Sequence, residues 1–192
     1  MINKFLIILI VVVVLIYLFK TNIMKWLKGV DDAKVQSANV QAFLSTIKHS
    51  EGTDKYPNPY IILFGGSTFT DANAPDYSRH PHTIIHLNGY NSSAAGAYQI
   101  NSATWDTVIQ PALELPDFSP ASQDTAAAYL IKEHGALDDV TAGNFAAAIQ
   151  KCSGIWASLP GNSYGQPQKS LAYLADYYQQ AGGVISNPQN IA

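Results

Sequence analysis

The chain has a single cysteine, Cys152, so no internal disulfide can form. Set among small and apolar neighbours, that thiol reads as a packed side chain and not as a nucleophile. Charge is also scarce: Asp, Glu, Lys and Arg make up 13% of the residues, and Arg79 is the only arginine. Four of the eleven cationic residues fall in the first 29 positions, which carry no acid. The remaining 163 residues hold seven cations and all fourteen acids, a formal charge of −7. That balance argues against nucleic acid as a partner, because such binding needs a basic footprint. There is no His-Glu-x-x-His sequence, which removes the commonest zinc-peptidase signature. His80, His82 and His86 with Asp76 make a weak metal set. His82 and His86 would need a helix to converge, and β formers dominate residues 82–87. No metal and no cofactor is expected. No internal repeat is visible.

Long apolar runs are absent except at the start. Phe5 to Phe19 reads FLIILIVVVVLIYLF, without a charge or a small residue. A spanning helix needs about 20 residues. Met1 and Ile2 before the run, and Ile23, Met24, Trp26 and Leu27 after it, extend it toward that length. Lys4 and Lys20 can snorkel to the interfaces, and Trp26 suits a membrane–water boundary. No small-x-small cleavage site follows. The sequence therefore predicts a transmembrane anchor at 1–24, a juxtamembrane linker at 25–38, one domain at 39–183 and a loose tail at 184–192. It also predicts a single-pass membrane location, with lipid contacted through residues 5–19. Lys20, Lys25 and Lys28 place the domain in the cytoplasm by the positive-inside rule. A substrate outside the membrane requires the opposite orientation, and the conflict stays open.

Past the linker, Val40, Phe43, Leu44 and Ile47 recur at i, i+3, i+4 and i+7, one apolar stripe at a period of 3.6. Asn39 is the expected N-cap. Tyr60–Phe64, Thr68–Thr70 and His82–Leu87 are rich in β formers and predict a small antiparallel sheet. The pattern then turns helical. Ser102 opens a helix that Pro111 ends or kinks, and Ser119-Pro120 opens another that stops near His134-Gly135. Residues 144–151 and 170–180 carry two more. The fold class is α+β, mostly helical with a small sheet.

Two segments carry candidate chemistry. Glu51 lies four residues past Ile47, so it prolongs the apolar stripe. Desolvation raises the pKa of such a carboxyl. A carboxyl that holds its proton near neutrality can serve as general acid for glycosidic cleavage. The competing reading is a helix-end Glu that reaches solvent past Gly52. The second segment is Gly96-Ala97-Tyr98-Gln99, followed by Asn101. Small residues admit a ligand to the backbone, and Tyr98, Gln99 and Asn101 offer a flat ring and amides. A tight loop leading into a capped helix is the alternative.

Ordered strings along residues 39–183 carry a resemblance. They include Val40-Gln41-Ala42-Phe43-Leu44, Ser50-Glu51-Gly52-Thr53-Asp54, Gly65-Gly66, Ser78-Arg79-His80-Pro81 and Gly96-Ala97-Tyr98-Gln99. Further along come Asp117-Phe118-Ser119-Pro120-Ala121-Ser122-Gln123-Asp124 and the run from Cys152 to Gly161 with Tyr164-Gly165-Gln166. The chain resembles the phage lambda-type endolysins, which are lytic transglycosylases. The resemblance implies a lysozyme-like fold and peptidoglycan glycan strands as the substrate. It implies Glu51 as catalytic acid, with Tyr98, Gln99, Gln123 and Tyr164 in sugar binding. It further implies cleavage of the β-1,4 bond between N-acetylmuramic acid and N-acetylglucosamine without water. The muramoyl 6-hydroxyl closes a 1,6-anhydro ring, and Glu51 first gives and then takes the proton.

A hydrolytic lysozyme usually uses a second carboxylate, about 5–9.5 Å from the first. Asp54, Asp71, Asp76, Asp106 and Asp124 are all available for that role. T4-type lysozymes carry an Asp nine residues beyond their Glu, where this chain has Tyr60. A hydrolytic lysozyme, a non-catalytic glycan-binding module and a membrane-disrupting lysis protein remain the alternatives.

Overall fold

The computed structural model describes residues 37–163, 165 and 167–191. The run Phe5–Phe19, the expected anchor, nearly all of the expected linker, and Tyr164 lie outside the described residues.

Helix α1 (Ala38–Glu51) is central and packs against three other helices. Its predicted stripe is buried: Val40, Phe43, Leu44 and Ile47 are each at most 1% exposed. Ser37, not Asn39, caps it, accepting the Val40 N–H at 3.3 Å. Asn39 is used tertiarily instead. Its Nδ2 donates to the Thr141 carbonyl at 3.1 Å, and its Oδ1 accepts the Val184 N–H at 2.9 Å. The Ser186 N–H adds a bond to Gly143 O at 2.9 Å, and Ile185 and Ile191 pack on the core. Residues 184–191 are thus docked, which corrects the expected loose tail.

The sheet is smaller and lies later than predicted. Among the described residues only β1 (Ile85–Leu87) and β2 (Tyr90–Ser92) pair as strands, antiparallel, with Leu87 opposite Tyr90. Asn88 and Gly89 join them with φ of 51° and 80°, the two-residue turn whose twist matches a hairpin. Residues 59–61 form a 3₁₀ turn and not a strand. Asn58 accepts the Tyr60 N–H at 3.1 Å, and Pro59 has its φ fixed for a turn. Ile62 and Leu63 keep only isolated bridges, to Thr68 and Ala95.

Residues 102–113 form a bent helix, α2, capped by Asn101 and not by Ser102. It opens to a π turn at Trp105–Ile109 and closes again at Gln110–Leu113. Pro111 lacks an N–H, and its ring clashes with the carbonyl four residues back in a regular turn, so the distortion has a local cause. Helices α3 (Pro120–Glu133), α4 (Leu137–Ala142), α5 (Phe145–Cys152) and α6 (Leu171–Gln180) follow. Ser119 caps α3 with Pro120 at its first position, as the sequence predicts. Helix α1 meets α3, α4 and α6. Phe43 meets Phe145 and Tyr178 edge to face at 6.0 and 6.4 Å, and Phe145 and Tyr178 meet tilted at 4.7 Å between centroids. Truncating Phe43 to Ala would cost about 3–5 kcal/mol.

Candidate active site

Glu51 is the last residue of α1. Gly52 follows at φ 69° and donates its N–H to His49 O, while the Thr53 N–H reaches back to Lys48 O. That pair of bonds is a Schellman motif, and it needs the left-handed glycine. Glu51 therefore stands at the negative end of the helix dipole, where a carboxylate is disfavoured. Thr53 is buried, and its hydroxyl donates to Ala97 O at 2.6 Å. That bond ties the end of α1 to the Gly96–Gln99 turn. Trp156 is also buried, and its indole N–H donates to Tyr98 O at 2.9 Å. The segment after α5 is thereby brought to the same place. Three stretches distant in sequence, 50–54, 95–100 and 152–161, converge here.

Ser158 Oγ donates to Glu51 Oε1 at 2.6 Å, and Ser50 Oγ donates to Ser158 Oγ at 2.8 Å. The Glu51 residue is half-buried. Burial pushes its carboxyl pKa from an ordinary 4.5 up to about 7, while the Ser158 hydroxyl acts in the opposite direction. Burial wins because one hydroxyl replaces only part of a carboxylate's hydration. The result is a carboxyl that holds its proton far above the ordinary carboxylate range.

The other predicted site residues face inward. Gln123 is fully buried. Its Oε1 accepts the Ala97 N–H at 2.9 Å, and its Nε2 donates to Tyr60 O at 3.0 Å and Phe118 O at 2.7 Å. It holds the turn from behind and has no face for a sugar, which corrects its expected role. Gly96, at φ 77°, lies so close that an added Cβ would meet Gln123 Oε1 at 2.1 Å. Tyr98 is 1% exposed, and its hydroxyl donates to Asp124 at 2.6 Å, so it too is wall and not contact surface. Tyr60 donates to the same Asp124 oxygen at 3.0 Å, and Lys48 Nζ sits over both rings at 5.5 and 5.7 Å. Burial of both rings, with the Asp124 carboxylate as the next cause, pushes the Tyr60 and Tyr98 pKa values up. Gln99 is half-buried at φ 47°, and its amide N–H groups clamp Ile62 O and Gly96 O at 3.1 and 3.0 Å. Only its side-chain oxygen is left for a ligand.

The histidines have structural partners. His80 is buried, donates from Nε2 to Ile100 O at 2.9 Å and accepts the His82 N–H at Nδ1, which fixes the neutral tautomer. Burial holds its pKa below the ordinary 6.5. His82 bonds Asp106 at 2.9 Å and His86 bonds Asn91 at 2.6 Å. Ser50, Thr53, Trp156 and Ser158 were not singled out from sequence. Their one sequence signal is that all fall inside the strings of the family resemblance.

Helices around a short antiparallel hairpin, with one protonatable carboxyl at a helix end, define a lysozyme-like α+β fold. The solved lysozyme of bacteriophage lambda in complex with a chitohexasaccharide matches with TM-score 0.72 and 41% identity, over 78% of this chain and 97% of that one. A second structure of the lambda lysozyme matches with TM-score 0.69. The Endolysin family model matches residues 41–185. The endolysin of Escherichia phage P2 is 41% identical over 156 residues, covering 76% of this chain and 94% of that protein. The endolysin of Escherichia phage lambda is 42% identical over 151 residues, covering 76% and 92%. The chain belongs to the endolysin family.

These relatives are spanned almost end to end by about three quarters of this chain, so they consist of this domain without a counterpart to an anchor. That finding overturns the single-pass membrane location expected from residues 5–19. No helix among the described residues is long and apolar enough to cross a membrane.

Proposed function

We propose that this endolysin cleaves peptidoglycan glycan strands at the β-1,4 bond following N-acetylmuramic acid, with Glu51 as the general acid. The observation that carries this reading is the buried helix-end carboxyl at about pKa 7, held by one hydroxyl. Glu51 protonates the leaving glycosidic oxygen as positive charge develops at the anomeric carbon. The nearby loop 96–99, stiffened by Gln123 and Thr53, offers the Gln99 side-chain oxygen to the strand.

The second step distinguishes two chemistries. In the transglycosylase form the muramoyl 6-hydroxyl attacks its own anomeric carbon and returns a proton to Glu51. One carboxyl then suffices. The aspartates available for a second role are each engaged elsewhere: Asp54 with His49, Asp71 with the Asn73 N–H, Asp76 with the Ser78 N–H, Asp106 with His82, and Asp124 with Tyr60 and Tyr98. This supports the anhydro product. The hydrolytic lysozyme is the second reading, favoured by the name under which the solved lambda relatives are known. Mass spectrometry of muropeptides released by the full chain separates them. Anhydro ends, one water lighter than reducing ends, are the expected product. Reducing ends alone would establish hydrolysis and reject the 6-hydroxyl route.

A further inference from the structure

We propose that Ser158 is a positioning residue that fixes which Glu51 oxygen carries the proton, and that Ser50 orients Ser158 for this task. The inference rests on the reading of Glu51 as the acid and deepens it. The hydrogen bonds run one way: Ser50 Oγ–H to Ser158 Oγ at 2.8 Å, then Ser158 Oγ–H to Glu51 Oε1 at 2.6 Å. A carboxylate only accepts, so Ser158 must donate to it and has only lone pairs left for Ser50. Oε1 is thereby committed as an acceptor. With Ser158 keeping this direction, Oε2 is the oxygen that takes up the proton. A free carboxyl rotor would divide the proton between both oxygens and waste half of its orientations.

The charged neighbours leave this job to Ser158. Lys48, one turn back on α1, lies over the Tyr60 and Tyr98 rings. His49 is bonded to Asp54 and to Tyr173, and stacks on Tyr177. Lys55 lies over the Tyr56 ring, and Asp124 is held by the two tyrosine hydroxyls. None of these groups contributes to the Glu51 shift, whose causes are burial and Ser158. Ser158 also stabilises the ionised carboxylate that remains after the proton is given away.

The test is Ser158→Ala, with Ser158→Thr as the conservative rescue and Ser50→Ala as the milder break. Two readouts are taken on the full chain: the Glu51 carboxyl titration by carbon-13 NMR, and the pH profile of kcat on purified sacculi. Ser158→Ala should move the Glu51 midpoint upward, lower kcat about tenfold with KM unchanged, and shift the alkaline limb to higher pH. Ser158→Thr should restore both, and Ser50→Ala should show a smaller shift of the same sign. An unmoved NMR midpoint in Ser158→Ala overturns the proposal. Should that variant fail to fold, an unmoved midpoint in Ser50→Ala overturns it equally. A midpoint that moves while the activity profile does not would leave the Ser158 coupling standing and reject Glu51 as the acid.

Discussion

The fold treats two polar side chains, Gln123 and Glu51, in opposite ways. Gln123 is wholly buried and makes three hydrogen bonds, each to the backbone. Glu51 is half-buried, and among the described residues its side chain takes a hydrogen bond from Ser158. A buried polar group with its partners supplied is inert and holds shape. A carboxyl with one oxygen satisfied and the other not is kept reactive, at some expense in stability. The contrast separates a side chain that holds its surroundings in place from the one proposed above as the acid.

The largest expected effect breaks the reactive side. Glu51→Gln should lower the rate of peptidoglycan clearance by about 10²–10⁴-fold while leaving glycan binding intact. Turbidity assays beside sacculus pull-down check this, and clearance at the parent rate would reject the assignment. On the structural side, Gln123→Leu should destabilise by about 3 kcal/mol or more, because it strands Ala97 N–H, Tyr60 O and Phe118 O together. Urea unfolding measures the loss, and KM for the folded fraction should change little.

The next effect concerns pH. The Glu51 carboxyl ionises at about 7 in the fold and at about 4.5 when unperturbed. Between these values the folded state binds a proton that the unfolded chain has released, so stability falls as pH rises through the window and stays lower above it. At about 1.4 kcal/mol per pH unit, the upper bound is roughly 3 kcal/mol, reduced by the residue's partial exposure. Glu51→Gln should therefore melt above the parent at pH 8–9, and the gap should shrink toward pH 4. An equal gap at all pH values would contradict the shift. Activity should decline across the same range, since only the protonated form is the acid. The smallest effect is Tyr98→Phe, which removes one hydroxyl from Asp124 and should cost about 1–2 kcal/mol without moving the alkaline limb.

Much of α1 could be read directly from the sequence, because helix periodicity is local. Val40, Phe43, Leu44 and Ile47 declare a face, and Glu51 extends it. Ser119-Pro120 and His134-Gly135 likewise mark the ends of α3 by their own backbone preferences. Asn88-Gly89 is a strong local hairpin signal, whereas the β-rich string 60–64 gives no strand. There Asn58 and Pro59 impose a turn that outweighs side-chain propensity. Gln123 illustrates the opposite limit. Its amide type is equally suited to a sugar or to buried backbone, and nothing within α3 decides between them.

The sequence by itself pointed to most of the helices and to a carboxyl on an apolar stripe through spacing within a few residues, and to the family through ordered strings along the chain. The tertiary structure alone decided what surrounds that acid. The Ser158 bond crosses 107 residues, the Thr53 bond 44 and the Gln123 bond 26. Contacts of that span form only when separate elements pack, so burial and hydrogen-bond supply are properties of the assembled fold and cannot be read from a local pattern.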